Sequence, residues 1–360
     1  MNVYKLLAKE EKNTFFSPFS LSTALAMVFC GSENETAKEI RLAIGYNVEN
    51  ITGDNIKSGF QQLLSTLEKA SDNYVLNYAN SLLSQKGFAV KEEYKLVLRE
   101  SFRALLMEMD FVGESEKVIN HINEWVKNKT NHMIPQLVDF LDPSTVMVIL
   151  NAVYFKGTWS HKFNEKLTFR QNFYNKGTES SMKLVDMMHI KESFLYSEKG
   201  SFKALQLPYH GEEIAMLLLL PNSRNGLKEL EKQLSADFFK DLKCEMLLTE
   251  VDVALPKFRL EYSKSMKEIF QELGIRRLFE CGAELGGISD YKELMVSEVI
   301  HKAVIIVNEE GTEAAAATFV GFMRCSLTFN PEFIVDHPFA FVIYNTKCDL
   351  IIFMGKVEEL

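Results

Sequence analysis

The chain has 360 residues, 47% apolar and 25% charged, with a formal net charge of −9. That composition belongs to a folded protein with a sizeable core and excludes a disordered chain. The acid excess also excludes a general polyanion binder, since phosphate contacts need clustered Lys and Arg, so no nucleic-acid partner is expected.

Eight prolines and 18 glycines leave little linker material, so one domain over 1–360 is expected. The longest apolar runs, 146–150 and 214–220, fall far short of the ~20 residues of a membrane helix, and no membrane partner is expected. Five scattered cysteines (Cys30, Cys244, Cys281, Cys325, Cys348) show neither Cys-x-x-Cys pairs nor zinc-like spacing with histidine. Neither a disulfide framework nor a metal site is expected. The opening residues, 1–13, are charged and lack the apolar core of a secretory signal, as in a cytosolic or a trimmed chain. Sequons at Asn34, Asn50 and Asn128 would matter only in the secretory path. No phosphate loop, dinucleotide fingerprint, zinc-protease motif or nucleophile elbow occurs, so neither a cofactor nor enzymatic activity is expected.

In chain order, apolar residues three and four apart predict helices over 21–30, 36–44, 58–69, 91–102 and 115–131. Short β-branched or aromatic runs then predict strands over 146–155, 203–207, 214–220, 250–260, 303–307, 338–344 and 350–354. Helices first and strands later imply an α+β domain.

One tract resists that reading: Glu309-Glu-Gly-Thr-Glu-Ala-Ala-Ala-Ala-Thr-Phe-Val-Gly-Phe-Met323, just before Arg324-Cys325-Ser326. Alanine content favours a surface helix. Alternation allows a strand, because Thr312, Ala314, Ala316, Thr318, Val320 and Phe322 form a small or apolar set without charge, while Glu313 falls on the opposite face.

Several motifs in order then resemble the serpins over nearly the whole chain. They are Ser17-Pro-Phe-Ser-Leu-Ser-Thr-Ala-Leu-Ala-Met, Ile122-Asn-Glu-Trp-Val, Asn151-Ala-Val-Tyr-Phe-Lys-Gly-Thr-Trp159, Leu207-Pro-Tyr209, Leu219-Leu-Pro221, His301-Lys-Ala, the tract from Glu309 to Thr318, and Phe333-Ile-Val-Asp-His-Pro-Phe-Ala-Phe341. The resemblance implies three β-sheets, eight or nine helices and an exposed reactive loop at about 309–330. It implies a suicide substrate for a serine protease: the cleaved loop inserts into the central sheet and traps the enzyme as a covalent acyl-enzyme. In that setting Glu309, Glu310, Gly311, Thr312, Glu313, Ala314, Ala315, Ala316, Ala317 and Thr318 are the hinge.

Arg324 is a long cation of the kind that a trypsin-like specificity pocket selects, which favours Arg324–Cys325 as the cut bond. The family's usual spacing from Gly311 gives Cys325–Ser326 instead, and Phe322 or Met323 would suit chymotrypsin-like enzymes. Rival readings are a non-inhibitory carrier or chaperone and an inhibitor of cysteine proteases. The resemblance further implies a polar cluster of Ser17, Ser20, Asn151 and His301 beneath the sheet (the shutter). It implies an entry point (the breach) at Trp159, with a salt bridge between Glu309 and Lys267. A monomer is expected, with polymerisation on destabilisation. Where the family often has a turn glycine, this chain has Asn131-His132, which predicts an unusual backbone there.

Overall fold

The computed structural model describes residues 1–46, 51–69, 74–312 and 330–360. Helix α1 (Asn2–Leu7) leads to the edge strand β1 (Thr14–Phe16). Ser17 then starts α2 (Pro18–Phe29): its hydroxyl accepts the Ser20 amide at 3.1 Å, and Pro18 stands in the first turn, where its missing N–H costs nothing. Next come α3 (Asn34–Ala43), α4 (Gly53–Lys69), β2 (Tyr74–Gln85), α5 (Glu92–Phe102), β3 (Leu105–Met109), α6 (Ser115–Lys129) and β4 (Met147–Thr158). The middle of the chain forms β5 (Phe169–Tyr174), β6 (Met182–Glu198), β7 (Phe202–Pro208), β8 (Ile214–Pro221), α7 (Leu227–Gln233) and α8 (Ala236–Glu245). The rest forms β9 (Leu247–Pro256), β10 (Phe258–Ser265), α9 (Lys267–Glu272), β11 (Glu298–Val307), β12 (Gly311–Thr312), β13 (Glu332–Ile334), β14 (Phe339–Asn345) and β15 (Ile351–Val357).

The central sheet has the order β10-β11-β4-β2-β3, with β12 paired to the end of β4. The other strands run β1-β15-β14-β8-β7-β6-β9-β13, with β5 beside β6. β6 is 17 residues long and serves two arms: its start, Met182 to Met187, pairs with β5, the stretch from Met187 to Tyr196 pairs with β9, and its end, from Leu195 to Glu198, pairs with β7. The strands thus form two continuous hydrogen-bonded sheets, and because the second divides at β6 into two arms, they make up with the central sheet the three sheets that the resemblance implies. Nine α-helices lie among the described residues, again as expected.

The five helices anticipated in the first third form, but the helices-first order is incomplete. β2 was missed because it lies between α2 on one face and α6 on the other, so most of its residues are apolar or shielded and no two-residue alternation survives. The run 250–260 is two strands, not one. It breaks at Lys257, after which the chain leaves β9, paired to β6, and enters β10, paired to β11 in the central sheet. The turn after α6 is the predicted irregularity: Asn131 and His132 both take positive φ, 50° and 65°, and the His132 amide donates to the Lys127 carbonyl at 2.7 Å.

Core packing leaves one seam in the central sheet that differs from the rest. β4 and β11 are parallel neighbours, in register from Glu298↔Val148 to Val304↔Tyr154. One side of the seam rests on α2, and the other is covered by α6, whose Val118, Ile122 and Val126 pack with Leu150, Ala152 and Val304.

Candidate functional site

Beyond Tyr154 the seam opens, and the chain after β11 turns back into the gap. The Asn308 amide donates to the Gly311 carbonyl at 2.9 Å, closing a tight turn, and Gly311–Thr312 then pairs antiparallel with Gly157 and Thr158 of β4. Only glycine fits at 311: its φ is 142°, and a Cβ there would lie 2.1 Å from the Gly157 carbonyl oxygen. Trp159 anchors the turn from below. Its ring stacks on Tyr209 at 4.4 Å and 14°, its indole N–H donates to the Asn308 carbonyl at 3.0 Å, and its amide donates to the Glu310 carbonyl at 2.9 Å. The Tyr209 hydroxyl lies 2.8 Å from that of Thr312, and both groups are buried.

The two glutamates of the turn are held separately. Glu310 pairs with Lys162. Glu309, only 5% exposed, takes Lys257 at 2.8 Å and the Thr168 hydroxyl at 2.8 Å. Burial disfavours its charge, but the hydrogen bonds from Lys257, the backbone and Thr168, with the Lys257 charge, outweigh it and hold the carboxyl below its ordinary value. This corrects the expected Glu309–Lys267 bridge. Lys267 opens α9, and its ammonium donates to the Ser297 carbonyl at 3.1 Å. Lys257 reaches Glu309 because it sits at the break between β9 and β10.

Ser17, Ser20, Asn151 and His301 do converge beneath the seam, all fully buried. Asn151 and His301 are register partners on β4 and β11, so the cluster sits on the two strands that flank the seam. The Asn151 amide donates to the Ser20 hydroxyl at 2.6 Å and to Asn80 Oδ1 at 2.6 Å, while its Oδ1 lies 2.5 Å from His301 Nδ1. His301 Nε2 accepts the Ser17 amide at 3.3 Å. Both contacts are satisfied by one neutral tautomer, with the proton on Nδ1. A proton on Nε2 would face the Ser17 N–H, donor against donor. Burial pushes the His301 pKa down to about 3.

The remaining hinge residues (Glu313, Ala314, Ala315, Ala316, Ala317, Thr318) and Arg324, Cys325 and Ser326 lie outside the described residues.

All of the chain, 1–360, matches the family model described as serpin, serine protease inhibitor. The chain is a serpin. It is similar to Iripin-2 of Ixodes ricinus, at 38% identity over 354 residues, covering 97% of this chain and 88% of that protein. It is also similar to Intracellular coagulation inhibitor 1 of Tachypleus tridentatus, at 39% identity over 354 residues, 97% of this chain and 84% of the other. Among solved structures it resembles Serpin48 of the insect Tenebrio molitor, with TM-score 0.88, 32% identity, and coverage of 100% of this chain and 95% of that one.

Four members of the site were not found by reading the sequence, and two of them, Lys162 on Glu310 and Thr168 on Glu309, carry no local signal. Asn80 joins the cluster of this serpin through its register with Asn151, which no local motif announces. Lys257 stands at a strand break, and Pro256 beside it was the available signal. Tyr209 belonged to a recognised motif, but its role under Thr312 depends on β12 lying above it.

Proposed function

We propose that this serpin inhibits a trypsin-like serine protease as a suicide substrate, with Arg324–Cys325 as the bait bond. The protease serine would attack the Arg324 carbonyl carbon, giving an ester to the enzyme, and the C–N bond would break with the Cys325 nitrogen leaving as a protonated amine. The freed strand would enter the central sheet and carry the tethered enzyme away before water cleaves the ester. From Glu309 to Arg324, at ~3.3 Å per residue, the travel is roughly 50 Å.

The observation that supports this most is the antiparallel pair of Gly311–Thr312 with Gly157 and Thr158, at the open end of a parallel seam. A strand continued in that register has Ala314 opposite Phe155, Ala316 opposite Val153 and Thr318 opposite Asn151. The uncharged set then faces the core, the Thr318 hydroxyl reaches the polar cluster, and Glu313 falls opposite Lys156 on the other face. Insertion exchanges one parallel ladder for two antiparallel ones, which is a source of driving free energy. The small hinge residues Ala314 to Ala317 weigh against a carrier or chaperone role, which would tolerate bulk and charge there.

Mixing the protein with trypsin and denaturing it in detergent should leave a covalent band near the summed mass, and the released fragment should begin at Cys325. A fragment beginning at Ser326 would move the cut to the next bond. Complete cleavage with no covalent band would refute inhibition. Thr318→Asp should turn the protein from inhibitor into substrate, since insertion would bury an unpaired carboxylate.

A further inference from the structure

The β5–β6–β9–β13 arm turns one face outward, and that face carries features that folding does not explain. Residues level with one another on neighbouring strands point the same way, so His189, the buried Ala254 and Ile334 form one row and Lys191, Asp252 and Glu332 the next. In the first row the Phe169 ring lies flat on His189, with centroids 4.4 Å apart and planes 1° from parallel. Phe169 is nonetheless 52% exposed and Ile334 40%. Burial lowers the His189 pKa, so the stack is uncharged at neutral pH.

In the second row two carboxylates stand side by side. Asp252 and Glu332 are register partners on adjacent parallel strands, and among the described residues neither has an ion-pair partner. The nearby ammonium groups are otherwise engaged: Lys191 turns to Glu250 at 3.9 Å, and Lys203 donates to the main-chain carbonyl of Glu332 at 3.0 Å. Like charges level on neighbouring strands repel, and Lys191, level with Asp252 on its other side, offsets that repulsion only in part because it turns to Glu250.

Place in the chain indicates what would relieve that repulsion. Glu332 opens the strand that follows the reactive loop, and the stretch from Arg324 to Glu332 spans at most about 29 Å when fully extended. A protease domain of about 250 residues has a radius of gyration near 18 Å, so an enzyme seated on the loop overhangs this face.

Resting on the reading of the loop as bait, the geometry points to a second contact for the captured protease. Exposed Phe169 and Ile334 beside unpaired Asp252 and Glu332 fit an enzyme that carries a Lys or Arg flanking its cleft, on the side that receives residues C-terminal to the cut. The face thereby selects among proteases that share one specificity pocket.

The test compares association rate constants of the wild type and Asp252→Asn/Glu332→Gln with trypsin and a panel of trypsin-like proteases that differ in the charge of that flank. For basic-flanked enzymes the double variant should associate about tenfold more slowly at low salt. The gap should close at high salt, where screening removes the attraction. Asp252→Lys/Glu332→Lys should shift the preference to acid-flanked enzymes. The melting temperature of the neutral variant should equal or exceed that of the wild type, and a fall would assign the pair to folding and overturn the proposal. Equal rates across the panel, with covalent complexes formed, would overturn this surface and leave the bait reading standing. Failure of the wild type to form any covalent complex would remove the bait reading and this surface with it.

Discussion

Acidification should loosen the central sheet through His301. The imidazole holds its proton only below about pH 3 in the closed sheet, against an ordinary value of 6.5. A group whose pKa is lowered by folding contributes stability above its unfolded value and loses it as pH falls. The loss here begins near pH 6.5, and at pH 4.5, roughly two units lower, amounts to about 3 kcal/mol relative to any state in which His301 meets water. Such states include the unfolded chain and a sheet parted between β4 and β11, because His301 and Asn151 sit on those two strands. Its hydrogen-bonded neighbours, Asn151 and the Ser17 amide, do not titrate in this range, so the comparison with a variant isolates the imidazole. Urea midpoints measured between pH 7.5 and pH 4.5, beside native gels for polymer, should fall more steeply for the wild type than for His301→Gln. Coincident profiles would refute the assignment. His301→Ala leaves the Ser17 amide and Asn151 Oδ1 without these partners, and should give latent or polymeric protein at neutral pH. Wild-type inhibition with neither species would sink the gating role.

Three further outcomes follow from the entry point. Lys257→Met should lower stability by about 1–2 kcal/mol, because it leaves the buried Glu309 carboxylate with a weaker set of donors; Lys267→Met should change it by less than about 0.5 kcal/mol. Equal effects on the urea midpoint would contradict the observed pairing. Gly311→Val should cost about 1–3 kcal/mol of strain and expel β12 from the sheet, read as faster hydrogen exchange at the Trp159 amide, whose partner is the Glu310 carbonyl. Tyr209→Phe should lose about 1 kcal/mol with the Thr312 contact, and unchanged thermal unfolding would show that the hydroxyl pair contributes nothing.

Much of this protein is legible in one dimension. Helix periodicity is a local signal, so the apolar spacing of α5 and α6 predicts those elements to within two residues, whereas α2 starts three residues before the expected 21–30, where Ser17 caps it and Pro18 stands in the first turn. The small-residue alternation from Thr312 to Phe322 and the grouping of Ser17, Ser20, Asn151 and His301 were likewise available before any coordinates, the second through family likeness. Local signals failed where both faces of a strand are covered, as in β2, and where one apolar run serves two sheets, as in 250–260.

Composition and periodicity determined the class of fold and the five helices of the first third, because each depends on neighbours within a few residues; the hinge was implied only through family likeness. Tertiary structure alone decided that Glu309 meets Lys257 and not Lys267, that Asn80 completes the cluster, and that Asp252 lies beside Glu332. Those contacts join residues far apart in the chain, and strand register, set by the burial of whole sheets, chooses the partners.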